Sequence, residues 1–172
     1  MDNLPELSLY VHLPWCDKKC PYCDFNITTD SLNDSVRELF NALKNDLDQS
    51  EPLINQRPFK SIYFGGGTPS KVPTTFIKDF LDFLHSKFKV VLNCEVSFEA
   101  NPIDLTSDYI AELKDSGINR MSVGIQSFDD QYLGSLGRNH NASDSLKALR
   151  LLSESELIGT CLLYTSDAAD EE

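Results

Sequence analysis

This chain of 172 residues reads as an α/β fold built on a parallel sheet. Three observations carry that reading. Short β-rich runs alternate with longer stretches of helical periodicity, in the order β-loop-α, β-glycine loop-α, β-α, β-α. Every unusual loop directly follows a strand: the loop with three cysteines, the run Gly65-Gly66-Gly67, Glu99-Ala100-Asn101-Pro102, and Gln126-Ser127-Phe128. The composition, 41% hydrophobic and 10% aromatic, supports one domain with a real core rather than disorder. Alternating βα units imply a sheet that is either doubly wound or closing as a barrel, and in both cases chemistry sits at the C-terminal ends of the strands. The four loops therefore converge on one face. About four βα units are recognisable, against about eight in a complete β/α barrel.

The elements follow in order. Leu7–Leu13 alternates apolar and polar residues and is β-rich, so it is a strand, ended by Pro14-Trp15. The cysteine loop runs to about Thr29. Ser31-Leu32-Asn33-Asp34 looks like a helix start, and Val36, Leu39, Phe40, Leu43 and Leu47 share one face of a helix over about 34–48. Pro52 and Pro58 bracket a loop. Lys60–Phe64 is a second strand, and a helix over about 74–87 has Phe76, Ile77, Phe80, Leu81, Phe83, Leu84 and Phe88 on its apolar side. Val90–Phe98 is a third strand. A helix over about 107–116 stops at Gly117, a good residue just past a helix end. Asn119–Ile125 is a short fourth strand, Asp129–Leu136 a short helix, and Ala142–Ser153 a helix with Leu146, Ala148, Leu149 and Leu152 inward.

Net charge is −12, with 27 acidic residues against 15 basic ones, which argues against a nucleic-acid partner. The last twelve residues supply −4 of this, leaving −8 for residues 1–160. No apolar run is long enough to span a bilayer, and the acidic start Met1-Asp2-Asn3-Leu4-Pro5-Glu6 has no secretory h-region. Clustered free thiols fit a reducing, cytoplasm-like compartment, with an organelle left open.

The chemistry centres on Cys16-Asp17-Lys18-Lys19-Cys20-Pro21-Tyr22-Cys23. Three thiols at spacings of four and three, in a chain otherwise poor in cysteine, point to metal or cluster ligation rather than disulfides. A closed zinc site wants four ligands and a complete four-iron cluster takes four cysteines, so three leave one iron open to bind and reduce a small molecule. A zinc knuckle with His12 as fourth ligand is the alternative. Cys94 falls mid-strand as a buried structural thiol, and Cys161 has no role. The glycine run permits close backbone approach to a ligand, although alone it is only a turn. Glu99 can accept hydrogen bonds from hydroxyls or cap a helix, Gln126 offers an amide, and Arg138 a rigid fork for a carboxylate.

The spacing Cys16-x-x-x-Cys20-x-x-Cys23 resembles the radical S-adenosylmethionine (SAM) superfamily. Tyr10-Val11-His12-Leu13-Pro14-Trp15-Cys16 and Cys20-Pro21-Tyr22-Cys23-Asp24-Phe25-Asn26 are similar to its branch of oxygen-independent coproporphyrinogen III oxidases and their haem-chaperone relatives. Gly65–Ser70, Glu99–Pro102, Asn119-Arg120, Gly124–Phe128 and Leu136-Gly137-Arg138-Asn139-His140 match that branch in order, so the likeness covers residues 7–155. Trp15 before the first cysteine and the continuation Asp24-Phe25-Asn26 favour the HemW-type haem chaperones over the oxidases.

The resemblance implies a partial TIM-type barrel over residues 1–160, the N-terminal part of a radical SAM core. It implies a [4Fe-4S] cluster on Cys16, Cys20 and Cys23, with SAM chelating the fourth iron and yielding a 5′-deoxyadenosyl radical when an electron enters its sulfonium. It places the SAM amino group against Gly66, Gly67 and Thr68, the ribose at Glu99, and a further SAM contact at Tyr10. Tyr22, Gln126 and Arg138 match positions that contact a second SAM in the oxidases. Arg120 and His140 are left as structural. Haem or a porphyrinogen is the implied partner, with a haem-recipient protein beyond it. The implied role is haem chaperone, with oxidative decarboxylation of coproporphyrinogen III propionates to vinyls as the alternative, so catalyst or carrier stays open. Residues from about 161, ending Asp167-Ala168-Ala169-Asp170-Glu171-Glu172, resemble adapter read-through and are expected to be a non-native tail on a longer protein.

Overall fold

The computed structural model describes residues 4–32 and 34–162. In chain order the elements are β1 (Leu7–Leu13), α1 (Ser35–Gln49), α2 (Glu51–Ile54), β2 (Phe59–Gly66), α3 (Thr74–Lys87), β3 (Val90–Ala100), α4 (Ser107–Asp115), β4 (Arg120–Gly124), α5 (Asp130–Ser135), α6 (Ala142–Glu154) and β5 (Ile158–Leu162). Short 3-10 turns at Pro69–Lys71 and Pro102–Asp104 follow β2 and β3.

The strands pair in the order β1-β2-β3-β4-β5, and every neighbouring pair is parallel. A doubly wound sheet reverses its order at a switch point. These strands never reverse, so of the two architectures the pattern allows, the chain adopts the arc of a singly wound, TIM-type barrel. Right-handed crossovers put the helices of such an arc on one side of it.

Strand alternation then divides the sheet into two unlike faces. On the helix side, Val11, Leu13, Ile62, Phe64, Val96, Phe98, Met121 and Val123 are buried against Phe40 of α1, Ile77, Phe80 and Leu84 of α3, Ile110 and Leu113 of α4, and Ala148 and Leu152 of α6. Phe80 meets Phe64 and Phe40 edge-on, with ring centroids 6.1 and 5.7 Å apart. Each such side chain contributes about 1.5–3 kcal/mol through its burial. On the other face, Tyr10, Tyr63, Ser97 and Arg120 lie in one cross-strand row, His12 pairs with Gly65, and Glu99 with Ser122. That inner face is polar.

The helix boundaries follow local chemistry. Thr106 caps α4 through its hydroxyl, and Gly117 (φ 103°) ends it in the left-handed conformation expected there. Asn141 and Asp144 form a capping box at the start of α6. Among the described residues, no helix is long and apolar enough to cross a membrane.

Four details depart from the sequence reading. The stretch with Pro52 holds the short helix α2, because proline in a first helical turn gives up an N–H that has no partner there anyway. β2 runs on through Gly65 and Gly66, since both glycines pair with the end of β1. Leu146 is 49% exposed rather than inward, because the stripe that α6 buries is Ser145, Ala148 and Leu152. β5 was not expected. It pairs with β4 from Ile158 opposite Arg120 to Leu162 opposite Gly124, so the expected tail boundary near residue 161 falls inside a strand. Residues 163–172, the rest of that expected tail, lie outside the described residues.

Candidate cluster and cofactor site

The cysteine loop is closed at its base like a drawstring. Trp15, buried to 5% exposure, bridges to Thr28, with Cys16 N donating to Thr28 O and Thr28 N to Pro14 O, both at 2.9 Å. His12 Nε2 bonds Asn26 O at 2.8 Å, which ties the outgoing strand of the loop to β1. A carbonyl only accepts, so Nε2 carries the proton, Nδ1 is the acceptor, and Tyr10 Oη donates to it at 2.9 Å. Both ring nitrogens are thereby engaged, and His12 is not available as a fourth zinc ligand.

The glycine run docks on the start of this loop. Gly67 N donates to Leu13 O at 2.8 Å and Thr68 N to Trp15 O at 2.7 Å. A Cβ on Gly67 would fall 2.6 Å from Pro14 backbone atoms, and one on Gly66 (φ 114°) would fall 2.6 Å from the His12 ring. Only glycine allows this approach. Asp17, inside the cysteine loop, pairs with Lys71 Nζ at 2.7 Å, and Lys71 also meets Asp104 at 3.2 Å. Asn139 reaches Asp17 at 3.4 Å and accepts from Asn101 at 2.8 Å.

These loops enclose a cavity of about 550 Å³ at the C-terminal ends of the strands. It is lined by Cys16, Cys20, Cys23, Tyr22, Gly66, Gly67, Thr68, Glu99, Gln126 and Arg138, together with Tyr63, Asn101 and Ser122. Tyr10 is not among its lining residues. It is 56% exposed and stacks on Tyr63 at 6.1 Å between centroids.

Glu99 does not cap a helix. It accepts from Tyr63 Oη at 2.6 Å and from Gly66 N at 3.3 Å, which presents its carboxylate to the cavity. Burial and this carboxylate hold the Tyr63 phenol far above its ordinary pKa, so it stays a donor. Burial also raises Tyr10, with the Glu99 charge adding to it. The Cys16 thiol is pushed up by burial and by the neighbouring Cys23, Cys20 and Asp17, against the downward pull of the Thr68 hydroxyl 3.3 Å away. Gln126 adopts φ 62°, uncommon for a residue with a side chain, and its Oε1 is buried without a partner, as is Arg138 Nε. His140 Nε2 bonds Ile125 O at 3.0 Å and holds the turn beneath Gln126, while Arg120 pairs with Glu95 and Ser97, so both act within the framework.

Among the described residues, no three His, Cys, Asp or Glu side chains are grouped to hold a single metal ion. The three thiols line one cavity, and three cysteines without a fourth ligand fit an open four-iron cluster better than a closed zinc site. The unpartnered Gln126 Oε1 and Arg138 Nε belong to residues that line the same cavity as Gly66 and Gly67, and they fit a polar cofactor there.

The sequence profile of the Radical SAM superfamily matches residues 10–166. The chain belongs to the radical SAM superfamily. A [4Fe-4S] cluster and SAM are the cofactors that membership implies. Among radical SAM relatives, the heme chaperone HemW of Escherichia coli is 38% identical over 155 residues, 89% of this chain and 40% of that protein. HemW of Haemophilus influenzae is 40% identical over 161 residues, 91% of this chain and 42% of that protein. A solved structure of E. coli coproporphyrinogen III oxidase (HemN), described as a radical SAM enzyme, superposes with a TM-score of 0.81 at 26% identity, over 91% of this chain and 36% of that one. The chain spans about two fifths of the length of the curated relatives it matches.

Sequence reasoning passed over Tyr63, Asn101, Ser122 and Asn139, which also line the cavity. For Tyr63 a signal existed. It stands two positions before Gly65 on the same strand, so once the glycine run faces a ligand, period-two alternation turns Tyr63 to the same side.

Proposed function

We propose that this chain is the cluster- and SAM-binding part of a HemW-type haem chaperone, working in haem metabolism in a reducing compartment, the cytoplasm or an organelle. The observation that carries the reading is the joining of three thiols, a glycine cradle and Glu99 in one cavity, in a chain more alike in sequence to HemW than to HemN.

Cys16, Cys20 and Cys23 would hold the cluster, with SAM bound beside it. When bound, the cluster supplies a single electron to the SAM sulfonium. The chain's own residues position the cofactor. Gly66, Gly67 and Thr68 would bring backbone close to its amino group, and Glu99 would accept from its ribose hydroxyls. Tyr63 keeps Glu99 oriented through the hydrogen bond from its Oη. Tyr10 backs Tyr63 by stacking on its ring. Gln126 and Arg138, with Tyr22, offer polar contacts on the opposite wall. Haem is the cargo, and a haem-recipient protein its destination.

The likeness in structure to HemN favours a second reading, oxygen-independent decarboxylation of coproporphyrinogen III. One experiment decides between them. The protein is reconstituted anaerobically, assayed for iron and acid-labile sulfide, then incubated with dithionite, SAM and either haem or coproporphyrinogen III. Stable haem binding without conversion of the porphyrinogen is expected. Formation of protoporphyrinogen would establish the oxidase reading instead, and zinc without sulfide would remove both.

A further inference from the structure

Two hydrogen-bonding groups reach the sulfurs of the cysteine cradle from outside its loop. One is the Thr68 hydroxyl at Cys16. The other is Arg138, whose Nη1 lies 3.8 Å from Cys20 Sγ across 118 residues of chain. The guanidinium is placed independently of that contact. Nη2 donates to Gly124 O at 3.0 Å, at the end of β4, and Nη1 also meets Tyr22 Oη at 3.2 Å. The backbone before it is pressed onto the cysteine loop: Gly137 (φ 68°) leaves no room for a Cβ, which would fall 2.9 Å from Pro21 Cδ. Among the described residues no carboxylate forms an ion pair with Arg138, and its Nε has no acceptor. A cation without a counter-ion, held in a cavity wall and aimed at one ligand sulfur, is arranged to act on that sulfur.

We propose that Arg138 sets the cluster's redox poise: its guanidinium, held against Cys20, raises the reduction potential of the cluster that the three cysteines bind. This rests on the cluster reading above and adds to it a role for Arg138 that needs no second SAM. The physics is direct. One electron from an external reductant adds one negative charge to the cluster and its thiolates. A nearby cation stabilises the reduced form more than the oxidised one, and an N–H directed at a thiolate sulfur draws off electron density in the same sense. Arg138 is thus a positioning and electrostatic residue, acting through Cys20 rather than on substrate.

The test is a potentiometric titration without SAM. Wild type, R138K, R138Q and R138M are reconstituted anaerobically and titrated with dithionite in the presence of mediators. The reduced cluster is followed by electron paramagnetic resonance, with iron and sulfide measured on the same samples. In R138M and R138Q the midpoint is expected to fall, so that at the wild-type midpoint the reduced-to-oxidised ratio drops about tenfold, 59 mV for one electron. R138K, which keeps the charge, is expected to stay near wild type. An unchanged midpoint in R138M at wild-type iron content would overturn the proposal. Should R138M fail to load iron, equal midpoints for R138K and R138Q, which differ in charge, would overturn it as well. Wild type that takes up no iron would instead refute the cluster reading.

Discussion

Phe64 and Tyr63 are adjacent on β2 and belong to different worlds. Phe64 is fully buried, with its ring against those of Phe80 and Phe98. Tyr63 turns to the opposite face, donates to Glu99 and lines the cavity. The same division repeats along β3, where Phe98 is buried under the helices while Glu99 faces the cavity, and along β4, where Met121 and Val123 pack in the core while Ser122 and Gly124 line the site. Period-two alternation thus lets β2, β3 and β4 serve stability on one side and chemistry on the other.

The sharpest way to break this division is to cross it. Phe64→Ala leaves a cavity under α3 and is expected to cost about 3–5 kcal/mol in chemical denaturation of the apo-protein. Tyr63→Phe on the other face is expected to change stability by less than about 1 kcal/mol. Equal losses would mean that the inner face is also a structural core. Gly67→Ala comes next. Its Cβ collides with backbone of Pro14 and Trp15, not with a pliant side chain, so the cysteine loop must shift. We expect a cost of about 1–3 kcal/mol and a drop in iron taken up on reconstitution. Full iron loading would show that the loop does not depend on this contact.

Glu99→Gln probes the chemical side alone. The amide keeps an acceptor for Tyr63 but loses its charge, and SAM affinity should fall about tenfold, or about 1.4 kcal/mol, with the denaturation midpoint nearly unmoved. Calorimetric titration of the reconstituted protein reads it, and unaltered affinity would remove Glu99 from the cofactor wall. The smallest effect is a slope. Burial holds the His140 imidazole below its ordinary pKa of 6.5. The unfolded chain therefore takes up this proton first, and stability falls as pH drops through 6.5 toward the lower folded value. His140→Gln can still donate to Ile125 O but has no such proton to take up, so its stability should decline less over that window. Parallel pH profiles for the two proteins would contradict the assignment.

Much of this was legible in the sequence, for physical reasons that also mark where legibility stopped. The strands and long helices announce themselves through periodicity, because each buries one face. The order of the strands does not, since alternating βα units are common to doubly wound sheets and barrels. β5 escaped notice because Ile158-Gly159-Thr160 is short and contains glycine, and its place is set by pairing with β4, not by its own pattern. In the site, the cysteines stand out by spacing and the glycines by composition. Asn139 meeting Asp17, or Arg138 meeting Cys20, spans more than a hundred residues. No local pattern encodes such a contact. His12 was weighed as a metal ligand because its chemistry permits it. Its actual partners, a phenol and a main-chain carbonyl, became visible only when β1 and the loop were placed together.

The bridge between Trp15 and Thr28 has a consequence for how the protein would acquire its metal. It closes residues 16–27 into a ring by backbone pairing alone. Closing a flexible segment of this length costs about 2 kcal/mol of chain entropy, by (3/2)RT ln n for about a dozen residues. Because the backbone pairing meets that cost, the three thiols are confined to one loop of about a dozen residues. Where a zinc finger must fold around its ion, the ends of this loop are held together by the main chain itself.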